Sequence, residues 1–195
     1  PLTICVTGGK GGTGKTFCAV NLAVMLHNAG NKVLFLDGDS ENPNAFLLFD
    51  AGLANGELVE MFKPKIIEDE CTKCGLCAKH CLYHALLHIQ DSTPILMQNL
   101  CSGCKLCYKL CPVDAIVPDS KDMGYIYKSQ YDGMPILTGE LKPSEAKSAV
   151  IIEDLLEISE KYSKKENYDY IVIATAPGAH CDVELLISEA DVVIP

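Results

Sequence analysis

The nine residues GGKGGTGKT at positions 8–16 constrain this chain more than any other stretch. They follow a short apolar run, LTICV at 2–6, and precede a segment with helical apolar spacing from Thr16 to Asn28. A strand, a glycine-rich loop and a helix in that order make a phosphate-binding loop. Glycines let backbone N–H groups curl around phosphate oxygens without Cβ clashes, and the helix N-terminus adds its dipole. The expected nucleotide-binding residues are therefore Gly9, Lys10, Gly11, Gly12, Thr13, Gly14, Lys15 and Thr16. In such a loop the lysine, here Lys15, meets the β- and γ-phosphates, and the hydroxyl, here Thr16, ligates Mg²⁺. An unliganded glycine-rich turn is the competing reading, and the motif's length and flanks weigh against it.

The surrounding pattern is α/β. Gly30 sits where a helix C-cap is expected, and KVLFLD at 32–37 reads as a buried parallel strand, so residues 2–37 form a right-handed βαβ unit. A helix is expected from Ser144 to Lys161, a buried strand over 168–174 (YDYIVIA) and a further strand at 191–194 (DVVI). The expected fold is a mostly parallel P-loop NTPase sheet with helices on both faces, formed by residues 1–63 and 121–195. So few strands suggest a chain truncated at its C-terminus.

Between residues 64 and 120 the βα pattern gives way to cysteines. C-x₂-C-x₂-C-x₃-C occurs twice, as Cys71, Cys74, Cys77, Cys81 and again, thirty residues on, as Cys101, Cys104, Cys107, Cys111. Ala85 and Ala115 keep the same offset, and Pro64 and Pro118 lie near the edges. Three thiolates at this spacing wrap one face of a cubane, and the fourth reaches the other cluster. One [4Fe–4S] cluster is thus expected on Cys71, Cys74, Cys77 and Cys111, and a second on Cys101, Cys104, Cys107 and Cys81. Soft thiolates suit such clusters, whereas zinc sites generally use paired C-x₂₋₄-C knuckles. Residues 64–120 accordingly read as an inserted α+β, bacterial-type two-cluster ferredoxin domain. Cys111-Pro112 has the proline usual after the fourth cysteine, and Cys81-Leu82 lacks it.

Eleven cysteines, an odd number, fit a disulfide framework poorly. The opening reads as strand and loop with no leader, and no apolar run approaches the ~20 residues of a membrane span. A reducing cytoplasm is the expected setting. A net charge of −10 argues against nucleic acid as a partner. Cys5 and Cys18 read as small core residues. His80, His84 and His88 share an i, i+4 spacing, but a solvated helix face is the simpler account.

The pattern GKGGTGKT, with Lys10 ahead of Lys15, resembles the deviant Walker A loop of the MinD/ParA/Mrp class of ATPases, known also as the CobQ/CobB/MinD/ParA nucleotide-binding domain. The resemblance implies a homodimer that sandwiches two ATP molecules, with Lys10 reaching the partner's nucleotide. DGDSENPN at 37–44 matches the family's D-x-D segment. By that match Asp39 orients the attacking water near Mg²⁺ and Asp37 supports the metal, so Lys10, Lys15 and Asp39 are the expected catalytic residues. IVIATAPG at 171–178 resembles the Walker B strand and switch II, but Ala174 stands where the family has an aspartate. That departure puts hydrolysis in doubt more than nucleotide binding. Cys181 lies near the place where the nitrogenase iron protein holds an interfacial cluster, yet no second ligand is identifiable. Related nucleotide-binding domains also occur in cobyrinic acid a,c-diamide synthases, but nothing here supplies an amidotransferase part.

Three functions follow from the resemblance. The first is a nucleotide-gated dimer that couples ATP to electron transfer through two [4Fe–4S] clusters, delivering to a redox or iron–sulfur acceptor protein. The second is an iron–sulfur carrier or assembly ATPase of the Mrp/Nbp35 type. The third is a MinD-like positioning switch with structural clusters.

Overall fold

The computed structural model describes residues 1–195. In chain order its elements are β1 (Leu2–Val6), α1 (Lys15–Asn28), β2 (Val33–Gly38), α2 (Ala45–Leu48), β3 (Glu57–Ile66), α3 (Leu76–Lys79), β4 (Leu86–Leu87) and β5 (Ile95–Leu96). There follow α4 (Leu106–Leu110), β6 (Ile116–Tyr131), β7 (Met134–Leu141), α5 (Ser148–Lys165), β8 (Tyr170–Thr175), α6 (Cys181–Ser188) and β9 (Val192–Ile194). They make two compact units: residues 1–59 with 123–195, and residues 60–122.

In the first unit the strands run in the order β6-β7-β2-β8-β1-β9, with β6 entering it from Met123. β2 is parallel to β7 and β8, β1 is parallel to β8 and β9, and β6 runs antiparallel to β7. Every residue of β2 is buried, as its unbroken apolar run requires of a central parallel strand. α1 and α2 cover one face, where Phe35, Val172, Ala174 and Ile136 pack on Ala19, Val20 and Ala23. The alanines let α1 lie close to the sheet. α1 ends in a Schellman turn: the Asn31 N–H donates to the Leu26 carbonyl and the Gly30 N–H to that of His27, with Gly30 at φ 90°. α5 and α6 lie on the other face. A Cβ on Gly139 would stand 2.7 Å from Ile151 of α5, and one on Gly38 would stand 2.4 Å from Leu186 of α6.

Two features differ from the sequence reading. The helix before β8 begins at Ser148, not Ser144, and runs on to Lys165. Pro143 and a left-handed Ser144 (φ 75°) hold the chain in a turn, while the Glu157–Lys161 and Glu160–Lys164 pairs support the last turns. The hairpin β6–β7 was not expected at all. It closes at Asp132-Gly133, both at positive φ (46° and 82°), the backbone that a two-residue hairpin loop favours.

The second unit repeats itself. Shifting by thirty residues carries left-handed Lys73, Gly75 and His84 onto left-handed Gly103, Lys105 and Asp114. Gly75 and Lys105 each cap a short helix, α3 and α4. Ala85 and Ala115 are both buried. The copies also cross: the Ile67 N–H donates to the Ala115 carbonyl, and the Met97 N–H to that of Ala85, each at 2.7 Å. The backbone repeats even where the residues differ, as at Lys73 and Gly103 or His84 and Asp114.

Candidate functional site

The first site lies at the C-terminal ends of the central parallel strands, where β1 turns into α1. Gly11, Gly12, Gly14, Lys15 and Thr16 line one wall of an open pocket, and Asp39 with Asn42 and Asn44 lines another. Phe17, Leu48 and Pro177 complete it. Gly12 and Gly14 are at φ 76° and 90°, the backbone that aims successive N–H groups inward. Lys15, nearly buried, donates from Nζ to the Lys10 carbonyl at 2.9 Å. The ammonium is therefore held inside the loop's own curl. The Thr13 hydroxyl donates to the same carbonyl at 3.3 Å. Gly8 backs the Lys15 side chain, and its carbonyl accepts from the Gly178 N–H at 3.1 Å, tying the segment after β8 to the loop.

The two aspartates differ. Asp39 faces the pocket, and burial raises its carboxyl above the ordinary value, while the Asn42 N–H and the Lys15 charge pull it back. Asp37 lies behind, fully buried. Its Oδ2 accepts from the N–H groups of Asn44 and Ala45 at 3.1 and 2.9 Å, and its Oδ1 accepts from that of Asp39 at 3.3 Å. It thus closes the turn that leads into α2. Burial lifts its carboxyl to about 6 despite these bonds. On β8, Ala174 stands in register with Asp37 on one side and with Val6 on the other. In-register neighbours point to the same face, so the Ala174 methyl sits beside the Asp37 carboxylate, in the core under α1.

The second site lies in the other unit. Two small voids open there, each with a cavity volume of about 20 Å³. One is lined by Cys71, Cys74, Cys77 and Cys111. The other is lined by Cys101, Cys104, Cys107 and Cys81. Each void takes three thiols from one copy of the repeat and the fourth from the other copy. Apolar walls close them: Ile66, Pro94, Val113 and Ile116 around the first, and Phe62, Pro64, Leu86 and Leu96 around the second. None of the eleven cysteines forms a disulfide. No group of three or more His, Cys, Asp or Glu side chains is placed to hold a metal ion. Burial raises the Cys77 thiol and pushes that of Cys107 up to about 11, and the neighbouring cysteines push the same way.

A family model described as the CobQ/CobB/MinD/ParA nucleotide-binding domain matches residues 4–180. The chain belongs to that family. It is 34% identical to the uncharacterized protein MJ0578 of Methanocaldococcus jannaschii, over 99% of this chain and 66% of the relative. It is 32% identical to MJ0579 of the same organism, over 99% of this chain and 68% of the relative. The chain thus spans about two thirds of the length of these relatives. The antiactivator FleN of Pseudomonas aeruginosa is 41% identical over 35% of this chain and 22% of its own. Among solved structures, the septum site-determining protein MinD of Pyrococcus horikoshii, in complex with Mg-ADP, superposes with a TM-score of 0.50 at 20% identity, over 98% of this chain and 56% of its own. That likeness establishes the fold.

Within this CobQ/CobB/MinD/ParA domain, the remaining residues singled out in the sequence are not among those lining the two sites. Cys5 is buried in β1, where burial pushes its thiol up to about 11. Cys18, expected in the core, is exposed on α1, because the buried side of that helix falls on Ala19, Val20 and Ala23. Cys181 is exposed at the start of α6. The three histidines do not share a helix face: α3 ends at Lys79, His84 is left-handed, and the His88 ring packs on Gly75. Asn42, Asn44 and Pro177 were not foreseen as pocket residues; the Asx-rich run after β2 is the signal that could have found the first two. No helix is long and apolar enough to cross a membrane.

Proposed function

We propose that this chain is an ATP-binding iron–sulfur protein that works as a nucleotide-gated dimer. It holds MgATP in the loop pocket and two [4Fe–4S] clusters in the thiol-lined voids, and it couples nucleotide turnover to electron transfer toward an acceptor protein. The observation that carries the reading is the pair of voids, each ringed by one of the two cysteine sets that the spacing pairs. Residues 60–122 would be the inserted ferredoxin-like domain. Bound there, the clusters supply one-electron redox capacity.

The chain's own residues have defined tasks. Lys15 exchanges the Lys10 carbonyl for phosphate oxygens, a trade of a neutral acceptor for a charged one. The Thr16 hydroxyl and the Asp39 carboxylate would hold Mg²⁺ from opposite walls of the pocket. Asp37 anchors the turn that carries Asp39. Lys10 would reach the partner's nucleotide, with its carbonyl released by Lys15. Phosphoryl transfer asks little of a protein beyond such positioning and neutralisation.

A positioning switch of the MinD kind, with clusters serving only structure, is the second reading. It draws on family membership and on Ala174, which favours a long-lived nucleotide state. Anaerobic reconstitution with iron and sulfide, followed by EPR with and without MgATP, separates the two. About eight irons and eight sulfides per chain, with a reduced signal that responds to MgATP, is expected. Zinc alone, or a single cluster, sinks the cluster reading. A cluster signal indifferent to nucleotide favours the switch, and ready transfer of iron to an apo-acceptor favours a carrier of the Mrp/Nbp35 type.

A further inference from the structure

We propose that the two thiol-lined voids are electrostatically inequivalent. Lys63 makes the one formed by Cys81, Cys101, Cys104 and Cys107 the more positive in potential, and so the first to accept an electron. This rests on the cluster reading above. Lys63 is the one lysine of the second unit that is buried, at 4% exposure. Its Nζ donates to the Gln98 carbonyl at 2.8 Å and to the Cys101 carbonyl at 3.0 Å. The ammonium is thus pinned against the backbone of a residue whose thiol faces the second void. A buried cation is screened much less than a surface one, and it favours the more negative, reduced state of whatever fills that void.

The internal repeat supplies a control. The thirty-residue shift that superposes the copies carries Lys63 onto Thr93 and Pro64 onto Pro94, and these two prolines line opposite voids. At the place where the second void has a buried ammonium, the first has a hydroxyl whose oxygen is buried without a partner. The same shift carries Gln98, Asn99 and Leu100, which precede Cys101, back onto Glu68, Asp69 and Glu70, which precede Cys71. One approach is neutral and the other carries three acids. The acids are exposed and count for less individually, but their sign adds to the effect of Lys63. The lysines inside the cysteine loops nearly cancel: Lys73 lies between Cys71 and Cys74, Lys105 lies between Cys104 and Cys107, and both are exposed. What remains is a fold with near two-fold symmetry in its backbone and none in its charge.

The test uses the intact chain, reconstituted anaerobically, with iron and sulfide counted first. EPR-monitored titration with dithionite then reads the two one-electron midpoints. The wild type should show two separate midpoints. Lys63→Met should lower the upper one by at least a tenfold change in occupancy, about 59 mV for one electron, and leave the lower one in place. Lys63→Arg should restore it, since a charge at that position is what matters. Coincident midpoints in the wild type overturn the proposal, whatever the variants do. So does a Lys63→Met shift shared equally by both midpoints, or a Lys63→Arg protein that behaves like the methionine variant. Failure of the wild-type chain to take up iron and sulfide refutes the cluster reading itself, and the inference with it.

Discussion

Replacing Asp37 by asparagine separates what its carboxylate does for the fold from what it does for a metal. Asp37 is fully buried, and burial lifts its carboxyl from the ordinary 3.8 to about 6. The folded chain therefore keeps this proton to higher pH than the unfolded chain does. The stability that the protonated form contributes is complete below the unfolded value and is lost as pH rises to about 6. A gap of roughly two units, 3.8 to about 6, corresponds to about 3 kcal/mol. For a chain of this size that is a shift of roughly 6–12 °C in Tm. Asparagine does not ionise, so this pH-dependent loss disappears in Asp37→Asn. Its amide group should turn toward the Asp39 N–H, the longest of the three bonds at 3.3 Å, and its oxygen should keep Asn44 and Ala45. The facing donors cost about 1–3 kcal/mol at every pH. The expected result, in EDTA and without nucleotide, is a variant less stable than the wild type at pH 4 that draws level with it or passes it by pH 7. Thermal unfolding across that range measures it. A Tm difference that stays constant from pH 4 to 7 would refute the reasoning. Adding MgATP at pH 7 should then stabilise the wild type more than the variant; equal gains would confine Asp37 to closing the turn into α2.

Two further outcomes are expected. Lys15→Ala should abolish most ATP affinity, because phosphate loses a nearly buried cation, whereas Lys10→Ala should spare binding and reduce dimerisation or turnover; equal losses of affinity, by calorimetry, count against the sandwich dimer. Ala174→Asp places a carboxylate in register with Asp37, and with Mg²⁺ present it should raise steady-state ATPase by ~10–100-fold; an unchanged rate would mean that Thr16 and Asp39 suffice for the metal.

Much of this was legible because it is local. The loop at 8–16 carries its own backbone requirements, and Gly12 and Gly14 meet them at positive φ. The cysteine spacing sorts eight cysteines into two sets of four, and each set is among the residues lining one void. What escaped depends on distant contacts. Asp-Gly at 132–133 is a hairpin signal, but Met134-Pro135 after it obscured a strand that becomes internal only by pairing with β2 and β6. Asp37 in a D-x-D segment looks like a ligand, and only the folded turn shows that its oxygens also accept from three N–H groups. Lys63 in the strand Glu57–Ile66 looks like an exposed polar residue, and nothing beside it in sequence reveals the two carbonyls that bury it.

The crossing of the fourth thiols bears on how the cysteine unit can come apart. Cys81 belongs by sequence to the copy that lines the first void yet faces the second, and Cys111 does the reverse. Neither copy can be peeled away without opening both voids at once. The unit is a double clasp whose hooks engage each other, so it has no half-fastened state in which one void stays whole while the other is exposed.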